Sequence, residues 1–420
     1  MDAEQTDPSP LGRADGWRDN GVYGLAHFGK SLFWYGGEIL FAYFLTEIAD
    51  LPPAAMGLIL VSGFVLSATL DLLVGVRLGS RMTDPAAAGR LQLIGAAISG
   101  ATLLAFFATP FLPSAMRLIH ALLTGAAFRL AYAVYDVPQN ALIALAGSSG
   151  QARTRLATVR IACSGLASVA IAAAVAPLLA ARTRGQDAGL LLQLAAVAVV
   201  IAVGSAWWLA RTLSSTAARP SSTAAPATPG KFKKLWPLLA IMAAMSLAPP
   251  LFQKLEPYFA TYVLRSPAWG GAIILAVAAG QLVGQPLWFR LSRGRSRDTV
   301  LVVAAIVQAL GGVAFLASPL SQPRGLVAAS LLVGIGNGGV GMAMWAAFGD
   351  LVRRYASGRE SLAFAAFTAI AKLGLAAGSA LVSLLMVATA TRSWITLAMA
   401  GGAVLGSLAI LVLLGAARRD

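Results

Sequence analysis

Charged residues are scarce in this chain of 420 residues, and this scarcity argues against a soluble fold. Asp, Glu, Lys and Arg together make up 12% of the sequence, whereas soluble domains carry about 25%. The single cysteine, Cys163, excludes an intrachain disulfide. The sequence also lacks a metal-ligand cluster, a Walker lysine loop and a nucleophile–base pair. We therefore expect no metal and no cofactor, and neither an enzyme nor an ATP-driven pump.

Apolar runs dominate the sequence instead. Hydrophobic residues make up 58% of the chain and the mean hydropathy is +0.75. Many runs are long enough to cross the roughly 30 Å hydrocarbon layer of a bilayer. Helices are expected, because isolated strands would leave backbone groups unpaired in lipid. The first residues are polar and mildly acidic, so we do not expect a cleaved signal there. The composition predicts an all-α, multi-pass membrane protein whose partner is the lipid bilayer.

Turn-forming segments such as 51–53, 83–85 and 147–150 divide the runs into twelve predicted transmembrane helices. The spans cover about 21–48, 54–78, 89–110, 113–146, 153–181, 187–211, 235–264, 267–291, 298–318, 323–352, 360–389 and 392–417. The longest polar connection, 212–234, is rich in Ser, Thr, Ala and Pro and is typical of a flexible linker. We predict a tail at 1–20, a six-helix bundle at 21–211, a linker at 212–234 and a second six-helix bundle at 235–417.

The basic residues predict the orientation, because cytoplasmic loops of membrane proteins carry an excess of Lys and Arg. One side of the predicted membrane holds most of them: Arg13, Arg18, Arg77, Arg81, Arg90, Arg153, Arg155, Arg211, Arg219, Lys231, Lys233, Lys234, Arg290, Arg293, Arg295, Arg297, Arg353, Arg354, Arg359, Arg418 and Arg419. The other side holds Arg117, Arg182, Arg184, Arg265, Arg324 and Arg392. Both termini are therefore expected in the cytoplasm, in a bacterial inner membrane. The net charge of +15 reflects these basic residues, which determine the topology and give some attraction to anionic lipid. No nucleic-acid partner is expected.

A weak internal sequence similarity relates the two predicted bundles. Asp71 to Arg81 ends the second span and leads into a basic turn, and Gly284 to Arg293 does the same at the end of the eighth. Each segment lies in the second helix of its bundle. Two related six-helix halves are the layout of major facilitator transporters, whose substrate sites lie near the midplane between the halves.

Charged side chains inside the apolar runs are the most informative residues. Even on the mildest scale, an ammonium at the bilayer centre costs about 2.5–3.5 kcal/mol. The interior cations are Lys30, Arg129, Arg160, Lys254 and Lys372, and the interior carboxylates are Glu38, Asp71, Asp136 and Glu256. Groups of opposite charge at similar depths can neutralise one another. Fixed ion pairs that hold helices together remain an alternative interpretation, although buried ion pairs are poor stabilisers.

Several of these charges belong to polar stripes at helical spacing. Arg129, Tyr132, Asp136 and Asn140 fall on one narrow face of the fourth span. Pro138 is expected to cause a local kink there. By contrast, the glycines of the tenth span, Gly334, Gly336, Gly338, Gly339 and Gly341, resemble a nucleotide loop only superficially. No strand precedes them, so close helix packing is the better interpretation.

Four segments resemble the glycoside–pentoside–hexuronide:cation symporters, in order and spacing from about residue 21 to 385. Tyr23 to Lys30 is similar to the family's Y-G-x-G-x-x-G-K, and Asp71-x-x-x-Gly75 to its D-P-x-x-G. The third segment is Tyr132-x-x-x-Asp136-Val-Pro138 with the later Arg153 and Arg160, and the fourth is Gly358-Arg359-Glu360-Ser361 with Thr368-x-x-x-Lys372-x-Gly374.

The resemblance implies roles for the interior charges. Asp71 and Asp136 would be cation-site or sugar-site carboxylates with Lys372 as the neighbouring cation, and Lys30, Asp136 and Arg160 would contact sugar hydroxyls. The predicted cation-coupling set is Asp71, Asp136, Lys372, Ser67 and Thr368. The predicted substrate-binding set is Lys30, Ser31, Arg129, Tyr132, Asp136, Asn140, Arg160 and Lys372.

The sequence departs from the family at four positions, where it has Ser31, Ser67, Leu72 and Asn140. Sodium users of the family have a second carboxylate at the position of Ser67, so its loss favours a proton as the coupling ion, with sodium as the alternative. The leading hypothesis is a monomeric, cation-coupled symporter of a small polar solute, preferably a sugar or glycoside, that works by alternating access. The alternatives are a carrier of an organic anion or amphiphile in the same fold, and a membrane receptor or assembly protein that transports nothing.

Overall fold

The computed structural model describes residues 17–77, 85–146, 150–180, 184–214, 232–356, 360–388 and 393–417. Within these ranges all regular structure is helical. The α-helices are α1 (Trp17–Tyr43), α2 (Pro53–Arg77), α3 (Pro85–Phe107), α4 (Ser114–Ala146), α5 (Gly150–Ala180), α6 (Arg184–Ser214), α7 (Trp236–Leu247), α8 (Pro250–Tyr258), α9 (Pro267–Val283), α10 (Gln285–Gly294), α11 (Arg297–Ala317), α12 (Pro323–Tyr355), α13 (Glu360–Ala388) and α14 (Trp394–Ala417). Short π-helices follow α1 (Phe44–Ile48) and α8 (Phe259–Leu264), and 3-10 turns lie at Thr109–Phe111 and Phe232–Leu235.

Ten segments among the described residues are long and apolar enough to cross a membrane. They are Pro53–Leu73, Pro85–Phe107, Ser114–Asn140, Asp187–Leu213, Trp236–Leu264, Pro267–Gly294, Arg297–Ala317, Pro323–Val352, Leu362–Val387 and Trp394–Ala416. Two predicted spans are not among them. Polar side chains such as His27, Lys30 and Glu38 interrupt α1, and α5 contributes the shorter apolar stretch Val159–Val175. The chain is thus a multi-pass, helical membrane protein, and the number twelve stays a prediction.

Prolines mark where many of these helices begin. Pro53, Pro85, Pro267 and Pro323 occupy the first turns of their helices, where the missing backbone N–H has no helical partner to lose. Two prolines also divide the seventh predicted span, since α7 ends at Leu247 and α8 begins at Pro250. α4, in contrast, continues through Pro138.

The chain divides into two compact units. The first contains Met1–Tyr35, Leu73–Ser168 and Gly189–Thr223, and the second contains Gly36–Leu72, Val169–Ala188 and Ala224–Asp420. The predicted bundles at 21–211 and 235–417 stay a prediction, and most of the linker at 212–234 lies outside the described residues.

Close helix contacts organise the first unit. A Cβ atom at Gly95 of α3 would meet the backbone of Tyr135 on α4, and one at Gly29 of α1 would meet the backbone of Ala202 on α6. Tyr23, Leu142, Leu156 and Leu209 belong to the buried cluster that these helices enclose. The small residues therefore set α1, α3, α4 and α6 close enough to bring polar side chains of different helices together.

The second unit uses the glycines of α12 in the same way. A Cβ atom at Gly334 would meet the carbonyl of Val277 on α9, and one at Gly336 would meet the backbone of Gln308 on α11. Gly338 and Gly339 also come close to α9, α10 and α11, whereas none of the described residues lies within 4 Å of the Cβ position of Gly341. The packing interpretation is confirmed for the first four glycines and is wrong for Gly341, whose Cβ position is open.

We expect Gly334→Ala to destabilise the protein, because its methyl group would push α12 away from the backbone of α9. Overpacking of this kind costs about 1–3 kcal/mol. The matched control is Gly341→Ala in the same helix, which gains up to about 1 kcal/mol of helix propensity and meets no neighbour. Thermal unfolding of both purified variants measures the difference, and equal melting temperatures would contradict the packing role of Gly334.

Candidate functional site

The polar centre of the first unit is Lys30 on α1. Its Nζ atom lies 2.5 Å from Oδ1 of Asp136 and donates a hydrogen bond of 3.0 Å to Oδ1 of Asn140, both on α4. The Lys30 side chain is 4% exposed, whereas that of Asp136 is 22% exposed. The carboxylate thus neutralises the buried ammonium and still offers an accessible edge.

A second group of hydrogen bonds surrounds His27, one turn before Lys30. Its Nδ1 atom lies 3.1 Å from Oε1 of Gln139, and its Nε2 atom lies 3.2 Å from Oγ of Ser164 on α5. The amide oxygen of Gln139 accepts only, so Nδ1 donates and Nε2 is left to accept from the serine hydroxyl. Ser31 Oγ also lies 3.1 Å from Ser164 Oγ. His27 therefore contributes to the cluster, although no role was predicted for it.

Aromatic rings flank these polar groups. Tyr132 lies one turn before Asp136, and its ring stacks against Trp34 of α1 with centroids 6.2 Å apart. Tyr132 also packs against Phe128 and Tyr135. Trp34 was not identified from the sequence. Its position four residues after Lys30 was the available signal, because one helical turn places the two on one face.

Two arginines complete the predicted substrate set. Arg129 on α4 is buried and Arg160 on α5 is half-buried, and both belong to the first unit. Arg160 lies within electrostatic range of Tyr23, His27 and Tyr132. The structure therefore brings seven of the eight predicted substrate residues into one unit, and Lys372 belongs to the other.

The second unit contains the pair formed by Asp71 and Lys372. Lys372 Nζ on α13 lies 2.7 Å from Asp71 Oδ1 on α2, and both side chains are 6% exposed. Ser67 lies one turn before Asp71, fully buried, and its hydroxyl has no hydrogen-bond partner among the described residues. Thr368 lies one turn before Lys372, and its hydroxyl donates to carbonyl groups of its own helix, Phe364 and Ala365.

Asp71 and Asp136 contact different lysines. Asp71 contacts Lys372 in the second unit, and Asp136 contacts Lys30 in the first unit. The more general expectation, that interior charges of opposite sign neutralise one another, is confirmed for three lysines.

The third pair had no predicted role. Lys254 Nζ on α8 lies 2.9 Å from Oε2 of Glu38 on α1 and 5.3 Å from the ring centroid of Phe64 on α2. All three residues belong to the second unit. The ring and the carboxylate together stabilise an ammonium that is 3% exposed.

Further polar contacts involve the two π-helices and the last residue of α8. Thr46 Oγ1 lies 2.7 Å from the Tyr258 hydroxyl, and Tyr262 donates a hydrogen bond to Glu47. No sequence signal marked these contacts, because they join residues more than two hundred positions apart.

Solved structures of transporters resemble this chain throughout. A crystal structure of the peptide transporter POT matches with a TM-score of 0.68 and 13% identity, covering 100% of this chain and 99% of that one. A crystal structure of a D-xylose-proton symporter matches with a TM-score of 0.65 and 13% identity, covering 94% and 96%. At these identities the likeness shows the fold alone.

A curated relative provides a likeness in sequence. Over 170 residues the chain is 26% identical to the "Putative glycoside/cation symporter YagG" of Escherichia coli (strain K12). The matched stretch is 40% of this chain and spans only 37% of the relative's length.

The family match covers nearly the whole chain. It confirms the resemblance to symporters drawn from the four sequence segments, and the prediction of a transporter rather than an enzyme. Since residues 22–413 match the family described as "MFS/sugar transport protein", the chain belongs to this family of major facilitator transporters.

Proposed function

We propose that the protein is a proton-coupled symporter of a small polar solute, preferably a sugar or glycoside, that works by alternating access. The observation that carries this proposal is the cluster around Lys30, in which an ammonium, a partly exposed carboxylate and an amide converge beside two stacked aromatic rings. Sugar hydroxyls both donate and accept hydrogen bonds, and this set offers both functions. The rings of Trp34 and Tyr132 offer an apolar face for the C–H side of a sugar ring.

The state of the lysines argues for a neutral solute over an organic anion. Lys30 and Lys372 already contact the carboxylates of Asp136 and Asp71. An anionic substrate would have to compete with these carboxylates for the ammonium groups, whereas a hydroxyl can bind at the pair without separating the charges.

The surroundings of Asp71 favour a proton over sodium. Sodium prefers several oxygen ligands, and the hydroxyl one turn before Asp71 on the same face of α2 is that of Ser67. The Lys372 ammonium also lies 2.7 Å from the carboxylate, where a second cation would be repelled. A proton needs a single carboxyl oxygen. We therefore propose that protonation of Asp71 or Asp136 separates it from its lysine during transport.

We also propose the orientation and assembly expected from the sequence. The asymmetry of basic residues supports cytoplasmic termini. We propose a bacterial inner membrane as the location. We propose a monomer as the transporting unit, with the bilayer and the solute as its partners and no resident cofactor.

The first test identifies the solute by thermal shift. Purified protein is unfolded in the presence of sugars, glycosides and small carboxylates. We expect a sugar or glycoside to raise the melting temperature, because a ligand at 100 times its Kd stabilises the folded state by about 2.7 kcal/mol. Stabilisation by carboxylates with no effect of sugars would favour the carrier of organic anions instead.

The second test concerns the coupling ion in proteoliposomes. Entry of the stabilising solute down its gradient should make the outside medium alkaline, and sodium at constant pH should have no effect. Asp71→Asn and Asp136→Asn should lose accumulation against a gradient and keep solute exchange, because a neutral amide cannot carry the proton. Clear stimulation by sodium would contradict proton coupling and leave the symporter proposal standing.

The third test concerns Lys372. We expect Lys372→Ala to abolish accumulation and to lower stability by about 3–5 kcal/mol, because it leaves the Asp71 carboxylate buried without its partner. The double variant Asp71→Asn with Lys372→Ala removes both charges, so it should recover stability without recovering accumulation. Thermal unfolding and uptake of the same preparations separate the two effects. Normal accumulation by a stable Lys372→Ala protein would refute the proposed role.

A further inference from the structure

Glu256 on α8 is an interior carboxyl that the proposed mechanism does not use. Its side chain belongs to the second unit and is 1% exposed. Its Oε1 atom is buried and has no hydrogen-bond partner among the described residues. The three other interior carboxylates, Glu38, Asp71 and Asp136, each contact a lysine. Glu256 therefore differs from them in lacking a cation within the described part of the chain.

The helix geometry explains why Lys254 does not form an ion pair with Glu256. Two residues apart on a helix, side chains point about 200° away from each other. Lys254 faces Glu38 and Phe64. Glu256 shares its face with Phe252, one turn earlier, and Phe259, which begins the next turn. Both rings pack against Phe315 of α11, at centroid distances of 4.9 and 5.3 Å. The carboxyl thus lies on the aromatic side of α8.

The elements around α8 offer little charge of either sign. α7, α9, α13, α14 and the π-helix Phe259–Leu264 pack against it. Phe315 of α11 also packs against Phe252, and the charged residues of α11, Arg297 and Asp298, lie in its first turn, at the other end of that helix. Of these, α7, α9 and α14 contain no Asp, Glu, Lys or Arg, and the π-helix adds Tyr262. α13 carries Glu360 at its first residue and Lys372, which contacts Asp71. The contacting segment 36–72 carries Glu38, Glu47, Asp50 and Asp71, which are all acidic. On α8 itself the titratable neighbours are Lys254 and Tyr258.

We propose that Glu256 is a proton-binding site and that its carboxyl is protonated, hence neutral, in the conformation described here. An ionised carboxylate buried without a partner costs far more than a neutral carboxyl in the same place. Binding one proton from solvent converts the carboxylate to the acid and removes that cost. The assignment of the proton rests on the surroundings of Glu256 alone. Its part in coupling rests on the proposed symport, in which Glu256 would hold a proton while Asp71 and Asp136 stay ionised beside their lysines.

Infrared spectroscopy tests the protonation directly. The C=O stretch of a protonated carboxyl absorbs apart from the amide and carboxylate bands. We expect purified wild-type protein at neutral pH to show such a band, and ¹³C labelling of glutamate to shift it. Glu256→Gln should remove the band, whereas Glu38→Gln, which changes a lysine-paired glutamate, should leave it. If Glu256→Gln does not fold, the ¹³C-labelled wild-type protein still tests the proposal. The absence of a protonated-carboxyl band from glutamate at neutral pH would overturn it.

The pH dependence of stability gives a second readout. If the folded state keeps one proton that the unfolded chain releases, the folded state binds more protons, and stability falls as pH rises above the ordinary range of a glutamate. The melting temperature of Glu256→Gln should therefore fall less steeply with pH than that of the wild type. Equal slopes in wild type and variant would contradict the proposal. Neither readout needs a substrate, so a failure of the proposed symport would leave both results unchanged.

Discussion

The pairing of each interior lysine with a carboxylate is the interaction on which the polar interior depends. In a medium of low dielectric constant an unpaired ammonium is expensive, so its position must be matched by a counter-charge on another segment. Lys30, Lys254 and Lys372 meet this requirement at 2.5, 2.9 and 2.7 Å. The partners lie 106, 216 and 301 positions away along the chain. The packing of the helices is therefore constrained wherever a pair must form.

Such pairs stabilise a fold poorly and respond readily to protonation, which suits the proposed alternating access. Replacing a carboxylate's charge by a bound proton weakens its attraction to the lysine without disturbing any apolar contact. The apolar contacts have a different role. Glycines of α3 and α12 let neighbouring backbones approach closely, so each helix group keeps its form. Compact groups of helices that contain protonation-sensitive ion pairs suit the proposed alternating access.

Much of the architecture follows from the sequence because lipid imposes simple rules. Long apolar runs predict helices, and scarce charges predict the membrane itself. The glycines of α12 were correctly assigned to helix packing in four of five cases. Part of the candidate site could also be predicted, because helical spacing places Tyr132, Asp136 and Asn140 on one face of α4 whatever the tertiary arrangement.

The tertiary structure decided which charges meet. Spacing along a helix says nothing about the partner on another helix, so Asp136 could be predicted as functional but not as the partner of Lys30 rather than of Lys372. For the same reason Glu38 and Lys254 had no role until packing placed them 2.9 Å apart. Glu256 is the counter-example, because its Oε1 atom is buried and has no hydrogen-bond partner among the described residues. The sequence determined that charges lie within the membrane, and the long-range packing of helices determined how each is neutralised.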